Sequence, residues 1–206
     1  HELEEKLVQQ GNIEAIKKIN RDIFKNIKFT YVHQESQKGL GDAILQARDC
    51  IDQELFAVLL ADDLIINAPS ATQQLIDIAE LHNASVLGLN QVHKNDLNKY
   101  GVISPLNGKV LDNMCWVEDI VEKPNENPPS NMAVFGRYIL SHHIFGYLEN
   151  LNPGFGGEIQ LTDAIKLMLK DHPIAGYLYH GMKFDCGSRE GYVKAIQYLA
   201  SEILDV

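Results

Sequence analysis

Residues 55–63 read Leu-Phe-Ala-Val-Leu-Leu-Ala-Asp-Asp. Seven apolar residues run without a break and stop at two carboxylates. The run is too short to cross a bilayer, and Asn67, Pro69 and Ser70 soon follow it. This is the pattern of a strand buried on both faces, as in a parallel sheet with helices above and below. In such sheets ligands occupy the crevice beyond the carboxyl ends of the strands, where Asp62 and Asp63 fall. A carboxylate there is placed to hold Mg2+ against nucleotide phosphates. The same pair can equally cap the strand and open a turn.

The flanking segments extend the pattern. Glu2 to Gln10 and Ile13 to Ile27 carry apolar residues at helical spacing, broken at Gly11-Asn12, with Asn12 as an N-cap. Lys28 to His33 alternates Phe29 and Tyr31 with polar residues and reads as a strand. Gln34 to Ala43 follows, containing Gly39-Leu40-Gly41, and leads into a helix through Asp49. Glycines at a strand-to-helix junction permit close backbone approach to a flat or charged ligand, although a lone pair of glycines also fits an ordinary loop. Ser70 caps a helix with Leu75, Ile78, Ala79 and His82 on its apolar face, His82 reading as a peripheral core histidine, and Ser85 to Val92 is a further strand. Strand, helix, strand, helix, strand is the signature of parallel pairing through right-handed crossovers.

Beyond Val92 the pattern changes. Tyr100 to Ile103 is extended, with Gly101 marking a bulge or a close backbone contact. Asn107-Gly108 signals a hairpin. Val110 to Val121 is extended and ends in Glu122-Lys123-Pro124, an acid and a base able to bind a polyhydroxyl group and a phosphate, or simply a solvated pair. Met132 to Leu140 is extended, Ser141 to Leu148 and Glu158 to Lys170 are helical, and Ile174 to Tyr179 and Met182 to Asp185 are strands. Asp185 is thus a second carboxylate at a strand end. Ser188 caps the last helix, which runs through Leu204.

A chain of 206 residues, 45% hydrophobic, fits one domain. The formal net charge of -10 and the lack of any basic tract argue against nucleic acid as a partner. Cys50, Cys115 and Cys186 are odd in number and lack paired spacing, which fits a reducing compartment, the cytoplasm, better than a disulfide scaffold or a zinc site. No stretch reads as a signal peptide or a membrane span. The chain opens at His1 rather than Met and enters a helical pattern at once, as a piece of something longer would.

Taken together, these segments resemble the bacterial UTP–glucose-1-phosphate uridylyltransferases, a group of sugar-phosphate nucleotidyltransferases. The resemblance lies in the ordered set Gln34 with Lys38-Gly39-Leu40-Gly41, Leu60-Ala61-Asp62, Tyr100-Gly101-Val102-Ile103, Val121-Glu122-Lys123-Pro124, Pro129 to Val134, Gly136-Arg137-Tyr138, Gly157 to Ala164, and Asp185-Cys186-Gly187. It implies an α/β, Rossmann-like (GT-A-like) nucleotidyltransferase fold. The expected sheet is mixed but mainly parallel and flanked by helices, with a nucleotide-binding part over residues 1–95 and a β-rich sugar-phosphate part over 96–206.

It also implies roles. Gln34 and the backbone at Gly39 would face the uracil of UTP. Asp62 and Asp185 would hold Mg2+. Gly101 and Glu122 would bind the glucose hydroxyls of glucose 1-phosphate, with Asn131 and Ala133 nearby, and Lys123 would hold the sugar phosphate. A homo-oligomer is implied by the resemblance alone.

Four departures stand out. The family opens with a strand and a Gly-rich loop carrying Arg, with a Lys nearby, and no such loop precedes Gly39 here. The first βαβ portion is therefore expected to be missing. Asp42 stands where the family usually has His, Ala61 stands where it usually has Pro before Asp, and Asp63 is extra. A thymidylyltransferase for the same sugar phosphate, and a sugar-nucleotide-binding protein without turnover, are the competing expectations.

Overall fold

The computed structural model describes residues 2–19 and 27–204. Contacts gather into two compact units, His1–His33 and Gln34–Val206. The first contains α1 (Glu2–Gln9) and α2 (Ile13–Ile19). Asn12 caps α2 as its side chain suggests: Asn12 Oδ1 accepts from the Ala15 amide at 3.1 Å. The rest of the helix expected to Ile27 lies largely over residues 20–26, outside the described residues. Lys28 to His33 is not a strand. Its alternating Phe29 and Tyr31 point into solvent, and no described strand supplies the ladder partner that extended backbone requires.

The second unit holds α3 (Leu40–Gln46), β1 (Leu55–Leu59), β2 (Asp63–Ile66), α4 (Ala71–His82), β3 (Ser85–Gln91), β4 (Gly101–Pro105), β5 (Met114–Glu122), β6 (Met132–Ser141), α5 (Ile144–Glu149), α6 (Leu161–Met168), β7 (Ile174–Leu178), β8 (Met182–Asp185) and α7 (Arg189–Leu204). Six strands form a sheet in the order β1-β6-β3-β7-β5-β4, and β2 and β8 form a separate ribbon.

This sheet corrects two expectations. First, it is mixed as expected but not mainly parallel: among the described strands only β3 and β7 pair in parallel. β1, β3, β4 and β7 do share a direction, but β6 enters antiparallel between β1 and β3, and β5 enters antiparallel between β7 and β4. The strand–helix alternation fixes the direction of the early strands and says nothing of long strands inserted later between them. Second, β1 is not buried on both faces. It lies at an edge of the described sheet with β6 as its one partner, and Leu59 is 52% exposed.

β3 and β6 are buried on both faces over most of their length. Their side chains alternate between two cores, as a period of two demands. Leu87, Leu89, Val134, Tyr138 and Leu140 pack with α5 and α6 on one face. Val86, Phe135 and Ile139 pack with Ala71, Leu75 and Ala79 of α4 on the other. Ser70 caps α4 through its hydroxyl, which accepts from the Gln73 amide at 3.2 Å. His82, expected as a peripheral core histidine, is instead exposed, its ring edge-on to the partly buried Trp116. Asn107 and Gly108, both at positive φ, turn the chain from β4 towards β5.

Candidate active site

One cavity of about 380 Å³ opens where the ends of several elements meet. Asp62 enters from the turn after β1, Gly101 from the start of β4, Glu122 and Lys123 from the end of β5, and Asp185 from the end of β8. Val134, Gly136 and Tyr138 of β6 form its floor, and Leu161 and Thr162 bring in the first turn of α6.

The two aspartates are brought together by the β2–β8 ribbon. Asp63 pairs with Asp185 across it, and the Cys186 amide donates to the Asp62 carbonyl at 2.7 Å. Both carboxylates then close on Gly187. A methyl group there would sit 2.9 Å from Asp62 Oδ2 and 3.2 Å from Asp185 Oδ1. Only a residue without a side chain leaves this space open.

Asp63 does something different. Its carboxylate fills the place where a side chain on Gly136 would stand, and Gly136 is held at φ +20°. Burial raises the Asp63 carboxyl to about 6, and the nearby Asp62 and Asp185 push the same way, against the pull of Lys183 and Arg137. Lys183, on β8, is a half-buried cation of this corner. Burial lowers its ammonium to about 8, with Asp63 and Asp185 opposing the shift, and its Nζ lies against the Phe135 ring and 5.4 Å from the centroid of Tyr100.

At the opposite wall, Glu122 Oε2 accepts from the Thr162 hydroxyl at 2.9 Å, and Glu122 Oε1 lies 3.5 Å from Lys123 Nζ. Gly101 pairs with Glu122 across β4 and β5. A Cβ on Gly101 would come within 2.7 Å of Thr162 Cγ2, so the close contact expected of this glycine is with α6. Lys123 turns out of the strand at φ +43°, and its amide donates to the Tyr100 carbonyl at 3.0 Å.

Four of the expected site residues lie apart from this cavity's lining, among them Ala133, which is fully buried within β6. Asn131 borders a separate depression with Lys94, Asn127 and Pro128, its carbonyl accepting from the Val92 amide. Gly39, at φ +95°, is approached by the protein itself: a Cβ there would sit 2.8 Å from Glu158 Cβ and 2.9 Å from the Ile159 carbonyl oxygen. The same chain crossing ties the Gly41 amide to the Ile159 carbonyl and the Ile159 amide to the Lys38 carbonyl. Gln34 donates through Nε2 to Asp42 Oδ2 at 2.6 Å and to the Gly39 carbonyl at 3.2 Å. The charge of Asp42 is thus engaged by amides, Gln46 supplying another at 3.3 Å.

Arg137, Tyr138 and Thr162 fall within stretches that carry the resemblance but were given no role from the sequence, and Lys183 was not singled out. Arg137 Nη1 donates to the carbonyls of Leu60 and Gly136, and Nη2 to that of Asp63.

Among the described residues, no group of three or more His, Cys, Asp or Glu side chains forms a ready metal cage. Two facing carboxylates suit a cation that keeps water and substrate phosphates in the rest of its shell, which is the habit of Mg2+.

Residues 1–202 match the family model described as nucleotidyl transferase. The chain is 40% identical over 181 residues to a UTP–glucose-1-phosphate uridylyltransferase of Pseudomonas aeruginosa, covering 86% of the chain and 64% of that protein. It is 42% identical over 200 residues to one from Staphylococcus haemolyticus, covering 96% of the chain and 68% of the relative. A crystal structure of UDP-glucose pyrophosphorylase complexed with UDP-glucose superposes with a TM-score of 0.86 at 40% identity, over 93% of this chain and 73% of the other. The chain thus spans about two thirds of the length of the curated relatives it matches.

Proposed function

The chain belongs to the nucleotidyl transferase family, and we propose that it carries the sugar-phosphate and metal side of a site that moves UMP from UTP to glucose 1-phosphate, giving UDP-glucose and pyrophosphate. One observation carries this reading: Asp62, Gly101, Glu122, Lys123 and Asp185 come from separate segments and converge on one cavity. The names of relatives at about 40% identity point the same way.

The chemistry suits these groups. A phosphate oxygen of glucose 1-phosphate is already a nucleophile, so attack on the α-phosphorus of UTP needs no protein base. The protein's task is to position the reactants and to offset charge. Glu122, fixed by Thr162, offers acceptors to sugar hydroxyls, and the Gly101 backbone lies beside it in the cavity wall. Lys123 meets the sugar phosphate. Gln34 Nε2 is already donating within the protein, so Gln34 would meet uracil through Oε1, as an acceptor from the base N–H. Asp62 and Asp185 would hold a divalent ion, in this reading Mg2+, which when bound neutralises charge between the two phosphate groups. The same reading expects the triphosphate to be gripped by the Gly-rich first βαβ portion, of which residues 1–38 contain no counterpart. It also expects a cytoplasmic, self-associating protein. No described helix is long and apolar enough to cross a membrane.

The test is product formation from glucose 1-phosphate with UTP and with dTTP, using the chain and a form extended by its upstream coding sequence. UDP-glucose formed by the extended form supports the reading. Preferred use of dTTP would make it a thymidylyltransferase, a choice that one methyl group sets by about 1–3 kcal/mol. UDP-glucose binding without turnover in either form would make it a sugar-nucleotide-binding protein. Failure to bind UDP-glucose at all would overturn the assignment.

A further inference from the structure

We propose that Arg137 is a positioning residue that presets the Asp62 carboxylate for a divalent ion. The inference rests on the metal reading of Asp62 given above. Asp62 is exposed and sits in the short turn between β1 and β2. The turn's own closing bond, from the Asp63 amide to the Leu60 carbonyl, is long at 3.3 Å. A turn held by that bond alone would leave the Asp62 side chain free to swing, and an ion needing two carboxylates at once would pay for its arrest.

Arg137 holds the turn's backbone from outside, which fixes the point and direction from which the Asp62 side chain leaves the chain. One guanidinium edge reaches the Leu60 carbonyl at 3.0 Å, ahead of Asp62, and the other reaches the Asp63 carbonyl at 2.6 Å, behind it. The same group also holds the Gly136 carbonyl at 2.8 Å, which in turn accepts from the Leu60 amide at 2.9 Å. Asp62 is therefore bracketed by two carbonyls fixed to one rigid plane, while its own carbonyl is held by the Cys186 amide on the Asp185 side. Gly136 makes the arrangement possible by leaving room for the Asp63 carboxylate. Arg137 does not line the cavity, so it acts on the ion through Asp62. Lysine, with a single nitrogen and no fork, cannot span both flanks.

The experiment titrates the 206-residue chain with Mn2+ in the presence of UDP-glucose, counting free ion by electron paramagnetic resonance, for wild type, Asp62→Asn, Arg137→Met and Arg137→Lys. Thermal unfolding of each protein is followed in parallel, and titrations are run well below the lowest midpoint. The expected result is at least a tenfold loss of Mn2+ affinity in Arg137→Met and a smaller loss in Arg137→Lys. A guanidinium that merely staples the sheet edge would lower the unfolding midpoint and leave Mn2+ affinity at the wild-type value, which overturns the proposal. If Arg137→Met fails to fold, Arg137→Lys decides by the same criterion. Loss of Mn2+ in Asp62→Asn with wild-type affinity in both Arg137 variants sinks the Arg137 inference alone. Wild-type affinity in Asp62→Asn, or no Mn2+ bound by the wild type, sinks the metal reading and this inference with it.

Discussion

Asp63 and Asp185 stand opposite one another across the β2–β8 ribbon, the first residue of one strand against the last of the other. That register makes the neighbouring Asp62 and Asp185 carboxylates converge on Gly187. It also leaves Asp63 half-buried against Gly136, where ionisation is disfavoured.

Asp63 should make the metal-free protein pH-sensitive. Its folded value, about 6, lies above its ordinary 3.8, so the folded state binds the proton more tightly than the unfolded state does. The stabilisation is fully present below about pH 4 and is lost as pH rises through about 6. Urea denaturation across this range should show wild-type stability falling relative to Asp63→Asn and levelling off above pH 7. Parallel curves for the two proteins would show that Asp63 titrates normally.

Lys123→Ala should leave the fold intact, since the Lys123 side chain is 38% exposed. It should cut UDP-glucose formation by a factor on the order of 100, the loss of about 3 kcal/mol expected for one preorganised donor. Steady-state rates of the extended form, with unfolding midpoints as control, check this. An unchanged rate would remove Lys123 from the site.

Thr162→Val keeps the shape packed against Gly101 and removes the hydroxyl from Glu122. A hydrogen bond to a charged acceptor contributes about 1.5–3 kcal/mol, so UDP-glucose should bind roughly tenfold or more weakly by calorimetry. Wild-type affinity would mean that Glu122 is oriented without Thr162.

Gly101→Ala tests the fit of β4 against α6. A methyl group 2.7 Å from Thr162 Cγ2 must displace it, and overpacking of this kind costs about 1–3 kcal/mol. Chemical denaturation should report that loss together with weaker UDP-glucose binding. A stability equal to wild type would show that Thr162 can move aside freely.

What was legible in the sequence follows from where the signals were local. An apolar run ending in carboxylates marked Asp62, the end of a short strand marked Asp185, and Ser70 and Asn12 declared their helices by side-chain chemistry alone. The pattern at Lys28 to His33 was also local and misled, because alternation describes a surface and cannot supply a partner strand. Sheet direction was misjudged for the complementary reason: β5 and β6 enter by long-range pairing that no short window contains. Gly39 and Gly41 signalled close backbone approach correctly, but Glu158 and Ile159 are the approaching group. Lys183 left no trace and Arg137 was legible only as part of the Gly136-Arg137-Tyr138 stretch, since a single cation in a strand looks like any surface residue until the fold half-buries it beside acids.

The account depends most on two acids sharing one ion beside a sugar nucleotide. Calorimetric titration of UDP-glucose into the chain, with and without Mg2+, addresses it directly for wild type, Asp62→Asn and Asp185→Asn. Mg2+ should tighten binding to the wild type and leave both variants unaffected. Equal tightening in all three proteins would contradict the shared site.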